Sequence, residues 1–302
     1  MLSQKLIAVI LFSIISSGLF GAEGPVVLVT GAFKGLGVRV VHQLQAQGFR
    51  VVATGRDVEA AKENGLVESE NLRVLSLDVT DSKQSQQVVN QVKAEWGSIY
   101  GLVHNAAKIL VAPTDLVSVE QLEYISRVNY LGPAALTQMV LPDMKQQGKG
   151  RVVFVSSSAA ILNTPEFAAY SASKSAGESY FQTLSGELKQ SKSPVSSSVI
   201  RIGFVRSQYE PKVEIIGHDQ AESESQSKFM SQLRSLSPTT DRSVAKGITS
   251  LIKSKRPPKL INFGIDGKLL SAFTYLPNRI QDRCMKLTEG FFRLKAVSRI
   301  LP

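Results

Sequence analysis

Short runs rich in β-branched residues alternate with longer stretches of helical period from residue 26 to residue 263, and this alternation limits the fold more than any other feature of the chain. A parallel strand is reached only through a crossover of a dozen or more residues, usually a helix, so the pattern reads as successive βαβ units in one parallel sheet. Residues 26–30, 50–54, 72–77 and 101–104 read as the first four strands, and 151–156, 195–202 and 259–263 as three more. Residues 36–47 carry Val40, Val41 and Leu44 at helical spacing before Gly48, residues 120–145 suit one long helix or two, and 168–190 suit another. Residues 207–237 are rich in Ser, Gln and Glu without a clear period, which reads as a lid or mobile loop.

A chain of 302 residues, 43% of them apolar, can bury one sizeable core, and neither an internal repeat nor a second domain is visible. The expected organisation is an apolar leader over 1–22, one α/β body over 25–265 and an amphipathic helical extension over 266–302. In the leader, Lys5 precedes a nearly unbroken apolar run from Leu6 to Phe20. Such a run is a signal peptide or a membrane anchor, slightly short of the roughly 20 residues that span a bilayer comfortably. Small residues at Ser16, Ser17, Gly18, Gly21 and Ala22 suit cleavage, whereas a first strand starting so soon after them favours an anchor. The extension is interrupted by Pro277 and suits a cavity cover, a partner or a membrane surface.

The formal net charge is +10, but the cations are scattered rather than gathered in a basic stripe interleaved with aromatics, which argues against nucleic acid. Their relative density between Lys253 and Arg299, together with the leader, fits an anionic membrane surface. The single cysteine, Cys284, rules out an intramolecular disulfide, and no Cys/His spacing suits structural zinc.

The turn Thr30-Gly31-Ala32-Phe33-Lys34-Gly35-Leu36-Gly37 joins a strand to a helix. There, glycines let backbone amides approach a pyrophosphate at the positive end of the helix. A 2′-phosphate on the nucleotide needs cations where a 2′-hydroxyl prefers a carboxylate. Lys34 lies in the turn, Arg56 follows the second strand, and Gly55 occupies the place where an acidic residue would favour NAD, although Asp57 stands one step beyond Arg56. These residues favour NADP(H).

Tyr170 and Lys174 are four residues apart on a helix and project from one face. A phenol with its ordinary pKa near 10 becomes useful for proton transfer when a cation lies beside it. Ser157 precedes Tyr170 by thirteen residues, Asn129 lies in the helical stretch, His104-Asn105-Ala106-Ala107 follows the fourth strand, and Leu77-Asp78-Val79 closes the third.

Together these segments resemble the short-chain dehydrogenase/reductase family. The turn matches T-G-x-x-x-G-x-G, residues 170–174 match Y-x-x-x-K, and Ser157 and Asn129 match the serine and helix asparagine. Departures are His104 and Ala107 in the N-N-A-G segment, where Asn105 keeps the amide, and Ile202 in place of the usual proline before Gly203 and Val205. The resemblance implies a Rossmann-type, doubly wound parallel α/β sheet of about seven strands in a single domain. It implies that Tyr170 is the acid/base, Ser157 holds the substrate oxygen, Lys174 binds the nicotinamide ribose and lowers the Tyr170 pKa, and Asn129 anchors a water. Gly31, Lys34, Gly35, Leu36, Gly37, Arg56, Asp78, Val79, Asn105, Lys174, Gly203 and Val205 would contact the dinucleotide.

The activity so implied is NADP(H)-dependent interconversion of a carbonyl and an alcohol. The leader and tail make the chain look similar to the membrane-associated hydroxysteroid and retinol dehydrogenase branch, with a small lipophilic substrate, membrane association and a homodimer as expectations. A non-catalytic NADP-binding protein of the same fold is the alternative.

Overall fold

A computed structural model describes residues 24–209, 212–277 and 279–280. The leader over 1–22, Cys284 and the extension beyond residue 280 lie outside the described residues, and so do the expectations placed on them.

The central sheet has seven strands, all parallel, the number and direction expected. They are β1 (Val26–Val29), β2 (Arg50–Gly55), β3 (Leu72–Ser76), β4 (Gly101–His104), β6 (Gly150–Ser157), β7 (Val195–Ile202) and β9 (Leu260–Phe263), in the order β3-β2-β1-β4-β6-β7-β9. Its central strands read as nearly continuous apolar runs because both faces are covered, and β1, Val-Val-Leu-Val, is buried throughout. From β1 the chain winds one way to β3, then returns to β4 on the other side. The reversal leaves a crevice beyond the carboxyl ends of β1 and β4, where ligands of doubly wound sheets bind.

Helices α1 (Leu36–Gln45) and α8 (Asp241–Lys253) cover one face, burying Val40, Val41 and Leu44 with Val244, Ile248, Leu251 and Ile252. The other face carries α3 (Ser82–Trp96), α5 (Gly132–Gln146) and α6 (Ala168–Gln190), which bury Val88, Leu136, Met144, Phe181 and Leu184. Side chains end several of these helices as the sequence allows: Asp57 caps the short α2 (Val58–Glu63), Asp81 caps α3, and Thr240 forms a capping box with Ser243 at α8.

The long helical stretch after β4 is two helices. α4 (Val119–Ser126) and α5 are joined by a π-helical turn, Arg127–Leu131, that carries Asn129. At Gly132 an added Cβ would lie 2.2 Å from the Val79 carbonyl oxygen, so only glycine lets the helix press against the loop after β3.

The expectation of an irregular lid over 207–237 is overturned. β8 (Val213–Ile215) pairs in parallel with β5 (Ile109–Val111), and α7 runs from Gln220 to Leu236 behind an Asp219 cap. No α7 residue is fully buried, and Phe229, Met230 and Leu233 are only half-buried. A helix lying on the surface with so narrow an apolar seam leaves little periodic signal. α9 (Gly264–Phe273) begins the extension slightly earlier than expected and stops before Pro277. Among the described residues no helix is long and apolar enough to cross a membrane.

Phe181 is fully buried and stacks on Phe154 at 4.7 Å between centroids. Phe181→Ala should cost roughly 3–5 kcal/mol of stability, read as a lower urea midpoint with an unchanged slope. A loss below about 1 kcal/mol would mean that this layer collapses around the cavity.

Candidate active site

The glycine turn is fastened from across the crevice. Thr30 Oγ1 accepts from the backbone amides of Asn105 and Ala106, each at 3.2 Å, while Asn105 Nδ2 donates to the Thr30 carbonyl at 3.2 Å and the Gly31 carbonyl at 2.8 Å. Gly31 and Gly35 have φ of +61° and +55°, which favours glycine, and a Cβ on Gly37 would lie 2.2 Å from the Gly31 oxygen. Gly35 is the N-cap of α1 and supplies no side chain, so no side chain competes for the amides of the first turn. A cradle that side chains would fill, at the positive end of a helix, fits a dinucleotide pyrophosphate.

At the rim, Lys34 Nζ lies 4.0 Å from Asp57 Oδ2, and Arg56 Nη1 donates to the Tyr124 hydroxyl at 3.0 Å. Asp57 is committed to capping α2 through Ala60 N at 3.2 Å. Gly55 has a packing reason of its own, because a Cβ there would lie 2.5 Å from Cδ2 of Phe33. Asp78 Oδ1 accepts from Thr80 N and Oγ1, at 2.9 and 2.7 Å, which shapes the loop that also holds buried Val79.

Ser157 ends β6, and Tyr170 and Lys174 face it from α6. Of the three adjacent serines, Ser156 turns away and donates to Glu178 Oε2 at 2.9 Å, whereas Ser157 Oγ accepts from Ala159 N at 3.2 Å and stands beside the Tyr170 phenol. Burial pushes the Tyr170 phenol above its ordinary value, and the Ser157 hydroxyl pulls it partly back. The expectation that Lys174 sets this pKa gives way to those two causes. Lys174 Nζ donates instead to the Val155 carbonyl at 2.9 Å and sits 5.2 Å from the Phe154 ring centroid. Burial lowers its own pKa to about 8.

Asn129 is fully buried, and its amide is largely engaged. Oδ1 accepts from Lys108 N at 2.8 Å, and Nδ2 donates to Lys108 O and to Ser173 Oγ, both at 2.9 Å. These bonds form a clamp that ties the segment before β5 to α6 between Tyr170 and Lys174.

The loop after β7 lacks the family proline yet is well fastened. A Cβ on Gly203 would lie 2.5 Å from Asp266 Oδ2, the Phe204 carbonyl accepts from Ser237 Oγ at 2.6 Å, and Arg206 N donates to Thr239 O at 2.8 Å. Gly203 and Val205 are thus held by α9 and the 237–239 turn. Sequence reasoning missed Thr30 as a fastener, Phe33 behind Gly55, Tyr124 on Arg56, and the buried Glu178–Arg201 ion pair beside Ser156. The cation across from Glu178 was visible only as one more residue of β7.

The model of the short chain dehydrogenase family matches residues 25–214. Human dehydrogenase/reductase SDR family member 7 is 34% identical over 54% of this chain and 50% of its own length, and the mouse protein of that name is 33% identical over 59% and 58%. The chain therefore spans little more than half the length of these curated relatives. Bovine retinol dehydrogenase 8 is 31% identical over 78% of this chain and 81% of its own. A short-chain dehydrogenase of Streptomyces avermitilis superposes with a TM-score of 0.75 at 26% identity, covering 93% of this chain and 100% of that one. The closed form of serine dehydrogenase complexed with NADP+ shares the fold, with a TM-score of 0.69 at 24% identity over 78% of this chain and 93% of that one.

The Tyr170 environment has a spectroscopic consequence. In the ultraviolet difference titration of wild type against Tyr170→Phe, the phenol should ionise above the ordinary tyrosine value near 10, and Ser157→Ala should move it higher still. A wild-type midpoint below 10 would reverse the order of the two causes.

Proposed function

Because this chain belongs to the short-chain dehydrogenase family, we propose that it is an NADP(H)-dependent oxidoreductase reducing a carbonyl, and oxidising the matching alcohol, with Tyr170 as the acid/base. The observation that carries the reading is the convergence of Ser157, at the end of β6, with the buried Tyr170, one helical turn from the buried Lys174.

The cradle of Gly31, Gly35, Leu36 and Gly37 would hold the pyrophosphate, Asp78 and Val79 would border the adenine, and Asn105, Gly203 and Val205 would flank the nicotinamide half. When bound, the nicotinamide supplies or takes the hydride. The rest of the chemistry falls to side chains. Ser157 positions the substrate oxygen, and Tyr170, which stays protonated at neutral pH because of its burial, donates its proton to that oxygen as the carbonyl carbon gains hydride. Tyr170 then recovers a proton from solvent, and alcohol oxidation runs the same steps backwards. Lys174 holds the ribose hydroxyls from its buried seat, and Asn129 keeps α6 in place.

Three features support NADP(H): Lys34 and Arg56 at the rim, Asp57 committed to its helix cap, and Phe33 filling the space a longer residue at 55 would need. A lipophilic substrate is supported by α9, which packs on the Gly203 loop while Ile265 and Leu269 remain 65% exposed. The similarity to retinol dehydrogenase 8 points the same way. We extend the proposal to membrane association through the apolar leader.

Tyr170→Phe should lower NADPH-dependent reduction of lipophilic aldehydes and ketones roughly 10²–10⁴-fold while NADPH still quenches protein fluorescence. An unchanged rate in that variant rejects the mechanism. Replacing Lys34 and Arg56 together by alanine should cut the preference for NADPH over NADH at least about tenfold by calorimetry; an unaltered ratio removes both cations from the 2′-phosphate site.

A further inference from the structure

His104 stands where the family motif has asparagine, and the proposed mechanism leaves it idle. It closes β4 at 1% exposure and lies opposite Phe154 in the parallel register. Residues paired in this way project to the same side of a sheet. The Phe181 ring packs against both, 5.1 Å from His104 and 4.7 Å from Phe154, and Lys174 Nζ is 5.2 Å from Phe154. The imidazole, two phenyl rings and the ammonium therefore form one buried layer.

Thr137 Oγ1 is 2.7 Å from His104 Nε2 and donates its own proton to the Pro133 carbonyl at 2.9 Å. With the Thr137 proton given to Pro133, the tautomer that satisfies both groups carries its hydrogen on Nε2 and leaves Nδ1 as a bare acceptor. Among the described residues no protein group bonds that buried Nδ1. An acceptor buried in this way is costly unless something donates to it. Lys174 is the source at hand, since its ammonium has three N–H groups and gives one to Val155 O.

We infer that His104 is a positioning residue for Lys174, offering Nδ1 as a second acceptor for the buried ammonium through one bridging water. The three N–H groups then serve the Val155 carbonyl, His104 and, on the proposed reading of Lys174, the nicotinamide ribose. Burial, reinforced by the Lys174 charge, holds the imidazole neutral with a pKa of about 3, so it remains an acceptor across the working pH range. Other charges near this layer are already paired. Glu178, one turn beyond Lys174 on α6, is bound by Arg201 of β7 and Ser156 of β6. Asp143 of α5 turns outward to Lys93, and Arg127 of the π-turn lies near Glu123. Tyr170, one turn before Lys174, stands beside Ser157.

The test begins with the whole protein labelled with ¹⁵N-histidine, free of dinucleotide, where only three histidines contribute and His104→Asn identifies the signal. The Nδ1 resonance should be that of an unprotonated nitrogen accepting a hydrogen bond, and Lys174→Met should return it to the free-acceptor position. A free-acceptor shift in wild type, or one unmoved by Lys174→Met, overturns the inference whatever the activity proves to be.

The second arm is the pH profile of carbonyl reduction. His104→Phe keeps a ring but no acceptor, so the ammonium loses its proton more readily and the alkaline limb should fall by about half a pH unit or more. His104→Asn restores an acceptor and should return the limb to its wild-type position. Coincident limbs in all three proteins overturn the inference, and an unstable Phe variant leaves the magnetic resonance arm decisive. Failure of the functional reading would show differently, as absent turnover in wild type with the Lys174-dependent histidine signal intact.

Discussion

An ammonium at 4% exposure in an apolar layer is the constraint around which the site is organised. A buried charge is expensive unless it is hydrogen-bonded, and Lys174 is served by the Val155 carbonyl and the Phe154 face. Both come from β6, so the strand that ends in Ser157 is tied to the helix that carries Tyr170. A second buried network, Glu178 with Ser156 and Arg201, joins the same strand and helix one turn further on and extends to β7. Those two ties bring Ser157 and Tyr170 to the same end of the sheet.

The same economy of close approach governs the nucleotide side. At Gly37 a Cβ would overlap the Gly31 oxygen, and at Gly177 it would lie 2.5 Å from the Phe154 ring, which brings α6 down onto the sheet beside Lys174. Asn105 and Asn129 do the fastening. One holds the turn after β1 to the end of β4, and the other holds the segment after β4 to α6. The chain's departures from the family pattern are absorbed by neighbours: where proline is missing at Ile202, Asp266 and the 237–239 turn fix the following loop.

Legibility followed burial. Strands covered on both faces leave runs rich in β-branched residues, so β1, β2 and β6 stood out in the chain. α7 was hidden because none of its residues is fully buried, and β5 and β8 because three-residue strands carry almost no pattern. The π-turn at Asn129 was folded into one long helical stretch, since a single inserted residue hardly disturbs a hydrophobic period. At the site, spacing placed Tyr170, Lys174 and the glycine turn, and it favoured Ser157 over its neighbours Ser156 and Ser158. The structural reason is alternation along β6, which sends the Ser156 hydroxyl to Glu178 and leaves Ser157 on the side of Tyr170.

The amino-acid sequence by itself determined the parallel α/β plan, the phosphate-type turn and the Tyr170–Lys174 spacing, because each is written in local periodicity or in a short motif. Only the tertiary structure decided what sets the Tyr170 pKa, what Asn129 grips, why residue 55 is glycine, and that His104 shares a layer with Lys174. Those properties arise between separate segments of the chain, such as Lys108 with Asn129, 21 residues apart, and Asn129 with Ser173, 44 apart. Burial and hydrogen-bond partners across such distances exist only once the sheet has brought the segments together.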